Sequence, residues 1–330
     1  MEWKERLETV LTAPGSRLLV VLPLLCILLL SGCPSQKPDI VGVMYHHWWT
    51  PGRWSHNPLN HPYEPVLGHY SNADPAVITQ HIEWAQEYGV NTLILNFWIT
   101  DHDQWWVDPN TRAVADLCDA MGMNYFFLID GWFEFEDSRD QAFEIAWRVN
   151  ARAAPYFSRP GYLKSEGKPV VFFWAAYPTD CSLWYSVRSG IEGTSGPIFM
   201  TGDKWDCFDL RMLYNPYTAA SADYGVQLER QADLWKDRWE KREPWAPTAM
   251  PGYDDYCVRP EAGNPIVPLD DDFFRDSIRT ALQRPQHHSD GSTWLFVCSW
   301  SEWHEGSQIE PADDFADPLV FLKVLKEEVQ

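Results

Sequence analysis

The feature that most constrains the fold is a repeated alternation of short apolar runs with helical stretches. The apolar runs lack the polar–apolar alternation of a half-exposed strand, so they are typical of parallel strands that are buried on both faces. The eight candidate strands are 40–45, 90–99, 124–130, 169–175, 198–201, 210–214, 246–250 and the run that begins at Trp294.

Helix signals separate these runs. Asp74-Pro75 combines an N-cap residue with a proline at the first helical position, and Gly89 ends the stretch. Strands that alternate with helices predict a parallel sheet. About eight such units predict a single (β/α)8 barrel with long loops after its strands, over residues 39–330. An open doubly wound sheet is the alternative, and the absence of a Gly-rich phosphate loop after the first strand weakens it.

The N-terminal region has the pattern of an export signal. Leu18 to Leu30 form an apolar run that is too short to span a bilayer comfortably, and it ends in Leu30-Ser31-Gly32-Cys33, which resembles a bacterial lipobox. We expect a lipoprotein signal peptide at 1–32, a tether at 33–38 and a lipid on Cys33. The protein would then be anchored to a membrane of the bacterial cell envelope. An ordinary secretory signal and an uncleaved N-terminal anchor are the alternatives.

Charge and composition narrow the choice of partner. The net charge of -21 argues against nucleic acid, because a phosphate backbone would be repelled. A neutral ligand is more compatible with this charge, and 19 tryptophans supply more aromatic surface than a core requires. We expect an oligo- or polysaccharide partner, no nucleic acid, and a monomer.

Histidines and cysteines give no metal pattern. The pairs His46-His47 and His287-His288 lack convincing ligand partners, so we expect neither a metal nor a cofactor. No Cys-x-x-Cys pair occurs, and one disulfide is possible in an oxidising compartment. The sequence does not choose its partners among Cys118, Cys181, Cys207, Cys257 and Cys298.

The C-terminal strand leads into the stretch that carries the candidate chemistry. Glu302 and Glu305 follow it and alternate with Trp300 and Trp303. Carboxylates are costly to bury unless chemistry or a partner requires them. Functional groups of such barrels lie at the C-terminal ends of the strands. The candidate ligand contacts there are Tyr45, Trp48, Trp98, Asp130, Tyr214, Tyr253, Trp303 and His304.

Aromatic rings among carboxylates suit a carbohydrate, since aromatic faces pack on the C–H faces of sugar rings. Paired carboxylic acids are also the groups that cleave glycosidic bonds. A lipid-anchored glycan-binding protein, in which the acids only hold sugar, is an alternative from a different class.

The stretch from Trp300 to Ala312 (WSEWHEGSQIEPA) resembles the C-terminal signature of glycoside hydrolase family 99, the endo-α-1,2-mannosidases and mannanases. Residues 70–75 and 251–254, with Arg259-Pro260, are similar to other parts of this family, and the resemblance covers most of 40–312. The chain departs from the family pattern at Ser301, where the family has Asn, and at Asp130, where it has Glu.

The resemblance implies a retaining mechanism without a covalent enzyme intermediate. Glu302 would be the base that takes the proton of the substrate's own 2-hydroxyl group, which attacks C1 to give a 1,2-anhydro sugar. Glu305 would be the acid that protonates the leaving oxygen and then the base that activates water. Tyr214 matches a family tyrosine that contacts the base, and Tyr45 is a looser match. A role in surface-polysaccharide assembly or modification is the alternative within the family.

If the lipobox interpretation is correct, the mature protein begins at an acylated Cys33. Intact-mass and N-terminal peptide analysis of the exported protein should show this residue with its lipid. A mature N-terminus at any other residue would contradict the prediction.

Overall fold

The computed structural model describes residues 37–54, 63–100, 104–135, 140–175, 180–203 and 205–330, without the side chains of 104–108 and 205. The predicted signal peptide and Cys33 lie outside these residues. Within them, the helices are all too short or too polar to cross a bilayer.

One sheet forms the centre of the protein. Its strands are β1 Ile40–Tyr45, β2 Thr92–Trp98, β3 Asn124–Asp130, β4 Lys164–Ser165, β5 Lys168–Phe173, β6 Phe199–Gly202, β7 Leu210–Met212, β8 Trp245–Ala246, β9 Thr248–Ala249 and β10 Trp294–Val297. The order is β8-β7-β6-β5-β3-β2-β1-β10-β9, and every pair on this path is parallel. The short β4 pairs antiparallel with β5 outside this path.

The two ends of the path are consecutive in the chain. β8 pairs with β7, β9 pairs with β10, and Pro247 alone separates β8 from β9. A proline cannot donate to a strand ladder, so it interrupts the seventh strand of the barrel. Its carbonyl still accepts from the Phe296 amide at 2.9 Å. The predicted parallel barrel is therefore confirmed in nearly closed form.

Helices cover the outside of this barrel. They are α1 Pro51–Trp54, α2 Pro75–Glu87, α3 Gln104–Met121, α4 Gln141–Arg148, α5 Cys181–Ser195, α6 Tyr224–Glu240, α7 Asp271–Leu282 and α8 Val320–Val329. Asp74 caps α2 by accepting from the Ala76 amide, as its sequence predicts. Between β6 and β7, the described residues contain only a turn at Trp205–Cys207, so this unit of the barrel has no full helix.

The barrel interior is filled by side chains. The rings of Phe126 on β3 and Phe296 on β10 lie 6.1 Å apart and edge to face. A Cβ atom at Gly42 on β1 would lie 2.7 Å from the Phe296 ring, so only glycine fits there. This packing leaves the C-terminal ends of the strands as the open end where a ligand can enter.

A disulfide links the start of α5 to the segment between β6 and β7. It joins Cys181 to Cys207, whose Cα atoms lie 5.4 Å apart. Cys118, Cys257 and Cys298 are free thiols. The bridge fastens the region where the barrel lacks a helix.

Candidate active site

Both candidate glutamates lie on one folded loop after β10. The loop closes on itself through hydrogen bonds from the Ile309 amide to the Ser299 carbonyl (2.8 Å) and from the Glu310 amide to the Trp300 carbonyl (2.9 Å). A single turn, Trp303–Glu305, begins directly after Glu302, whose carboxylate accepts from the His304 amide. Glu302 and Glu305 thus stand at the two ends of one turn, with a fixed relation to each other.

The two carboxyl groups open into the same cavity, here called the two-glutamate cavity, of about 340 Å³. Aromatic rings and polar side chains from the C-terminal ends of seven strands, or from the loops that follow them, form its wall. The lining residues are His46, Trp48, Arg53, Asn96, Trp98, Asp130, Phe133, Trp174, Tyr214, Val258, Arg259, Glu302, His304 and Glu305. A cavity of this size and composition suits a sugar ring with its hydroxyl groups.

Glu302 is buried between two histidines. Its Oε2 lies 3.5 Å from His46 Nε2, and its Oε1 lies 3.4 Å from His304 Nδ1. Burial alone would raise the pKa of this carboxyl group. The neighbouring His46 and the hydrogen bonds from His304 outweigh burial and hold the pKa of Glu302 below its ordinary value. Glu302 is therefore a carboxylate near neutral pH.

Glu305 has the opposite electrostatics. Burial and the nearby charge of Glu302 raise the pKa of Glu305 to about 7, although Arg259 opposes the shift. Arg259 Nη1 donates to Glu305 Oε1 at 2.9 Å, and the Tyr214 hydroxyl donates to Oε2 at 3.3 Å. Two carboxyl groups with pKa values displaced in opposite directions are the usual arrangement of a base and an acid.

A histidine and a tyrosine connect the two carboxyl groups. The Tyr214 hydroxyl lies 3.3 Å from His46 Nε2 and 3.3 Å from Glu305 Oε2. Burial, together with nearby groups that include Glu305 and Glu302, raises the pKa of Tyr214 well above its usual range, so its phenol keeps its proton. The contacts run Glu302, His46, Tyr214, Glu305 along one wall of the cavity.

A second cavity of about 450 Å³ adjoins the two-glutamate cavity and shares part of its lining. Trp174, Tyr214, Arg259 and Glu305 border both cavities, whereas Glu302 borders only the first. The second cavity contains Tyr253 and further polar side chains. Glu305 can therefore contact a ligand in either cavity, whereas Glu302 can contact a ligand only in the two-glutamate cavity.

Far from the glutamates along the chain, Asp130 and Asn96 add a polar pair to the two-glutamate cavity. Asn96 Nδ2 donates to Asp130 Oδ2 at 3.2 Å, and the Gly131 amide donates to Oδ1 at 2.6 Å. Burial raises the pKa of Asp130 to about 6 despite these donors. The Asn96 carbonyl oxygen has no partner among the described residues, so it is available to a hydroxyl group.

Of the eight predicted ligand contacts, five line the two-glutamate cavity and Tyr253 lines the second one. The five are Trp48, Trp98, Asp130, Tyr214 and His304. Tyr45 and Trp303 lie behind the cavity instead. Tyr45 bonds His81 on α2, the Trp303 indole donates to Glu310, and both side chains are fully buried. Neither can contact a ligand in this arrangement, because each points into the protein.

Several lining residues were not among the predicted contacts. From the sequence, His46 was considered as half of a possible metal-binding pair, and Arg259 as part of the resemblance to the glycoside hydrolase family. The signal for His46 is its position: successive strand residues point to opposite faces, so Tyr45 and His46 cannot both face the barrel mouth. Asn96 carries no comparable signal, since it is one polar residue within an apolar run.

The described residues contain no group of three or more His, Cys, Asp or Glu side chains arranged to hold a metal ion. Nε2 of His47 bonds the hydroxyl group of Thr111 on α3 at 2.7 Å.

A parallel barrel with two carboxyl groups of opposite pKa shift at the C-terminal ends of its strands is compatible with a glycoside hydrolase. The family model for glycosyl hydrolase family 99 matches residues 54–318. The chain belongs to this family, as its C-terminal motif predicts.

Known relatives agree with this assignment. A glycoprotein endo-alpha-1,2-mannosidase from Xenopus laevis is 22% identical over 287 residues, which cover 78% of this chain and 60% of that protein. A glycoprotein endo-alpha-1,2-mannosidase-like protein from Homo sapiens is 24% identical, over 82% of this chain and 63% of that protein. The chain thus spans less than two thirds of the length of these relatives.

The fold has a counterpart among solved structures. The GH99 endo-alpha-mannosidase from Bacteroides thetaiotaomicron superposes with a TM-score of 0.68 at 19% identity, over 89% of this chain and 97% of that one. This likeness supports the barrel architecture.

The electrostatics of the site predict the effect of removing Arg259. Its guanidinium lowers the pKa of Glu305, so Arg259→Met should raise that pKa further above 7, by about one pH unit. NMR titration of ¹³C-labelled glutamate side chains, with Glu305→Gln to assign the resonance, measures the shift. Arg275→Met is the matched control, because Arg275 pairs with Glu327 and Glu328 on the surface. An unchanged or lower Glu305 pKa in Arg259→Met would contradict this account.

Proposed function

We propose that the protein is a retaining, endo-acting glycoside hydrolase that cleaves α-mannosidic or related α-glycans through a 1,2-anhydro sugar. The observation that carries the proposal is the pair of buried carboxyl groups on one turn, with the pKa of Glu302 lowered and that of Glu305 raised to about 7. The curated relatives support an α-mannosidic substrate, since their names describe endo-α-1,2-mannosidases.

In the first step, Glu302 takes the proton of the 2-hydroxyl group of the sugar. The freed oxygen attacks C1 and forms a C1–O2 bond, while the bond from C1 to the leaving oxygen breaks. Glu305 gives its proton to that oxygen. The neighbouring hydroxyl group is already in place, so the attack avoids the entropic cost of bringing in a separate nucleophile.

In the second step, the roles reverse. Glu305 is now a carboxylate and takes a proton from water as the water oxygen attacks C1. The C1–O2 bond breaks, and Glu302 returns its proton to O2. Two inversions at C1 leave the anomeric configuration unchanged, and both glutamates end in their starting protonation states.

The two cavities support cleavage within a chain. Glu305 must reach the leaving oxygen and borders both cavities, whereas Glu302 must reach only the sugar that is attacked and borders one. The attacked sugar would occupy the two-glutamate cavity, and the leaving part of the glycan would extend into the cavity with Tyr253.

A pure glycan-binding function is less compatible with the site. Hydrogen bonding to hydroxyl groups does not require one carboxyl group with a raised pKa beside another with a lowered pKa, whereas acid–base catalysis does. A role in surface-polysaccharide modification would use the same reaction on a different glycan.

Export and lipid anchoring through Cys33 are part of the proposal. The disulfide between Cys181 and Cys207 supports an oxidising compartment, where such bonds form and persist. The cell envelope is such a compartment.

The assignment predicts the behaviour of two variants. Glu302→Gln and Glu305→Gln should each lower kcat by about 10²- to 10⁴-fold, because each removes a proton transfer. Release of reducing sugar from mannans and other α-glycans measures the loss, and NMR of the first-formed anomer tests retention. Glu240→Gln is the control, since this residue is exposed on α6 and pairs with Lys236. Unchanged turnover in both site variants would refute the assignment, and an inverted product would refute the mechanism.

The pKa values predict the pH profile. Glu305 must be protonated to act as the acid, and its pKa is about 7, so kcat/KM should fall as pH rises through about 7. Glu302 must be ionised, and its pKa is lowered, so the acidic limb should lie below the ordinary pKa of a glutamate. A plateau that extends to pH 9 would contradict the role given to Glu305.

A further inference from the structure

His46 is the one side chain that touches Glu302 from outside the glutamate loop and also touches Tyr214, within the part of the chain that the structure describes. It follows β1 directly, and only 1% of its surface is exposed. Its Nε2 lies 3.5 Å from Glu302 Oε2 and 3.3 Å from the Tyr214 hydroxyl. Both contacts of the ring therefore use a single nitrogen atom.

The other nitrogen of this ring is decisive for the tautomer. His46 Nδ1 is buried and has no hydrogen-bond partner among the described residues. A buried N–H group without an acceptor is costly, so a proton on Nδ1 would be disfavoured. A proton on Nε2, by contrast, has two oxygen atoms within 3.5 Å, Glu302 Oε2 and Tyr214 Oη. The ring therefore fits its surroundings as a neutral imidazole that is protonated on Nε2.

The main chain of His46 is fixed as well. The Ser301 hydroxyl accepts from the His46 amide at 3.2 Å and donates to the His46 carbonyl at 3.1 Å. Ser301 directly precedes Glu302, so the residue that follows β1 and the glutamate loop are held in register. The ring of Trp48 packs on His46 with 4.7 Å between centroids. This support leaves the imidazole little freedom to turn away.

We propose that His46 is a positioning residue for the proposed hydrolysis: its Nε2–H group lies against Glu302 and stabilises this side chain as a carboxylate. The catalytic role of His46 rests on the proposed function. The placement of the proton on Nε2 does not depend on it.

The hydrogen bonds around Tyr214 and Glu305 show which groups donate and which accept. Arg259 always donates to Glu305 Oε1, so the acidic proton of Glu305 resides on Oε2, the oxygen that faces Tyr214. The Tyr214 hydroxyl donates to Glu305 Oε2, so its oxygen atom can accept from His46 Nε2–H. The wall therefore supplies donors on the side of Glu302 and on the side of Glu305.

The charged and titratable groups around His46 are compatible with this assignment. Glu302 and His304 face it from the glutamate loop, Tyr214 faces it from the loop after β7, and His47 follows it in the chain. Burial lowers the pKa of His46, and the charge of His304 acts in the same direction, whereas Glu302 opposes the shift. The imidazole is thus neutral at the pH where the enzyme would work.

Two substitutions separate the N–H group from the shape of the ring. Gln places an amide N–H near the position of Nε2 and cannot titrate, whereas Phe keeps a ring without a donor. His46→Phe should lower kcat/KM at least about tenfold and move its acidic limb up by about one pH unit, because Glu302 loses a donor to its charged form. His46→Gln should keep the acidic limb of the kcat/KM profile near its wild-type pH and retain most of kcat.

His47→Phe is the matched control. His47 is equally buried, but it bonds Thr111 on α3 and does not line the cavity. This variant is expected to unfold at a lower temperature without moving the acidic limb. If His46→Phe and His46→Gln both keep the wild-type profile, or if both move the limb equally, the N–H group has no such role and the proposal is overturned.

A measurement without substrate tests the proton itself. Long-range ¹H–¹⁵N spectra of histidine-labelled wild-type protein at pH 7, with His46→Gln to assign the ring, should show a neutral imidazole protonated on Nε2. An Nδ1–H tautomer or an imidazolium would overturn the inference. If the wild type cleaves no α-glycan while this tautomer is present, the proposed function fails and the placement of the proton stands.

Discussion

Burial of two carboxyl groups on one turn is the constraint on which the rest of the site depends. A buried carboxylate costs several kcal/mol unless donors or opposite charges compensate for it. Glu302 has His46 and His304 close to its two oxygens, so its charged form is the stable one. Glu305 has Arg259 on one oxygen and a phenol on the other, and it lies beside a charge of its own sign. His304 within the turn, together with His46, Tyr214 and Arg259 around it, thus creates the difference between the two acids.

A third buried carboxylate holds this turn in place from behind. Glu310 accepts from the Tyr70 hydroxyl at 2.7 Å and from the Trp303 indole at 3.1 Å, and it lies 3.0 Å from His81 on α2. Tyr45 extends the network from β1 through His81. Because every member of this network has a partner, it is the kind of buried polar cluster that fixes one arrangement of the chain. Tyr45 and Trp303, which the sequence suggested as ligand contacts, serve the position of the loop instead.

Much of the fold could be predicted because strands that are buried on both faces consist almost entirely of apolar residues. β1 and β3 have the bounds that their apolar runs predict, since strands covered on both faces are apolar throughout. The break at Pro247 was less visible, because each half of that strand is only two residues long. The missing helix between β6 and β7 could not be inferred from periodicity alone, and a disulfide takes over part of its structural role there.

The site residues that stand together in one sequence motif could be predicted. Those that reach the cavity from distant loops could not. Glu302 and Glu305 stand together in one motif, whereas Arg259 and Asn96 reach the cavity from segments whose position depends on the whole barrel. Tyr45 was predicted to contact the ligand, but His46 lines the cavity instead. The cause is that neighbouring residues along a strand point their side chains in opposite directions.

Ser301 shows how a departure from the family signature becomes intelligible in three dimensions. Its hydroxyl group is fully buried, and it spans the amide and the carbonyl of His46. Its carbonyl accepts from the Trp49 indole at 2.9 Å. A short side chain is required for both main-chain bonds, because the loop after β1 passes directly against the glutamate loop. An amide side chain is longer than a hydroxymethyl group and would need more space between these two segments. Ser301 therefore fixes the main chain of His46 beside the glutamate that follows it in the chain.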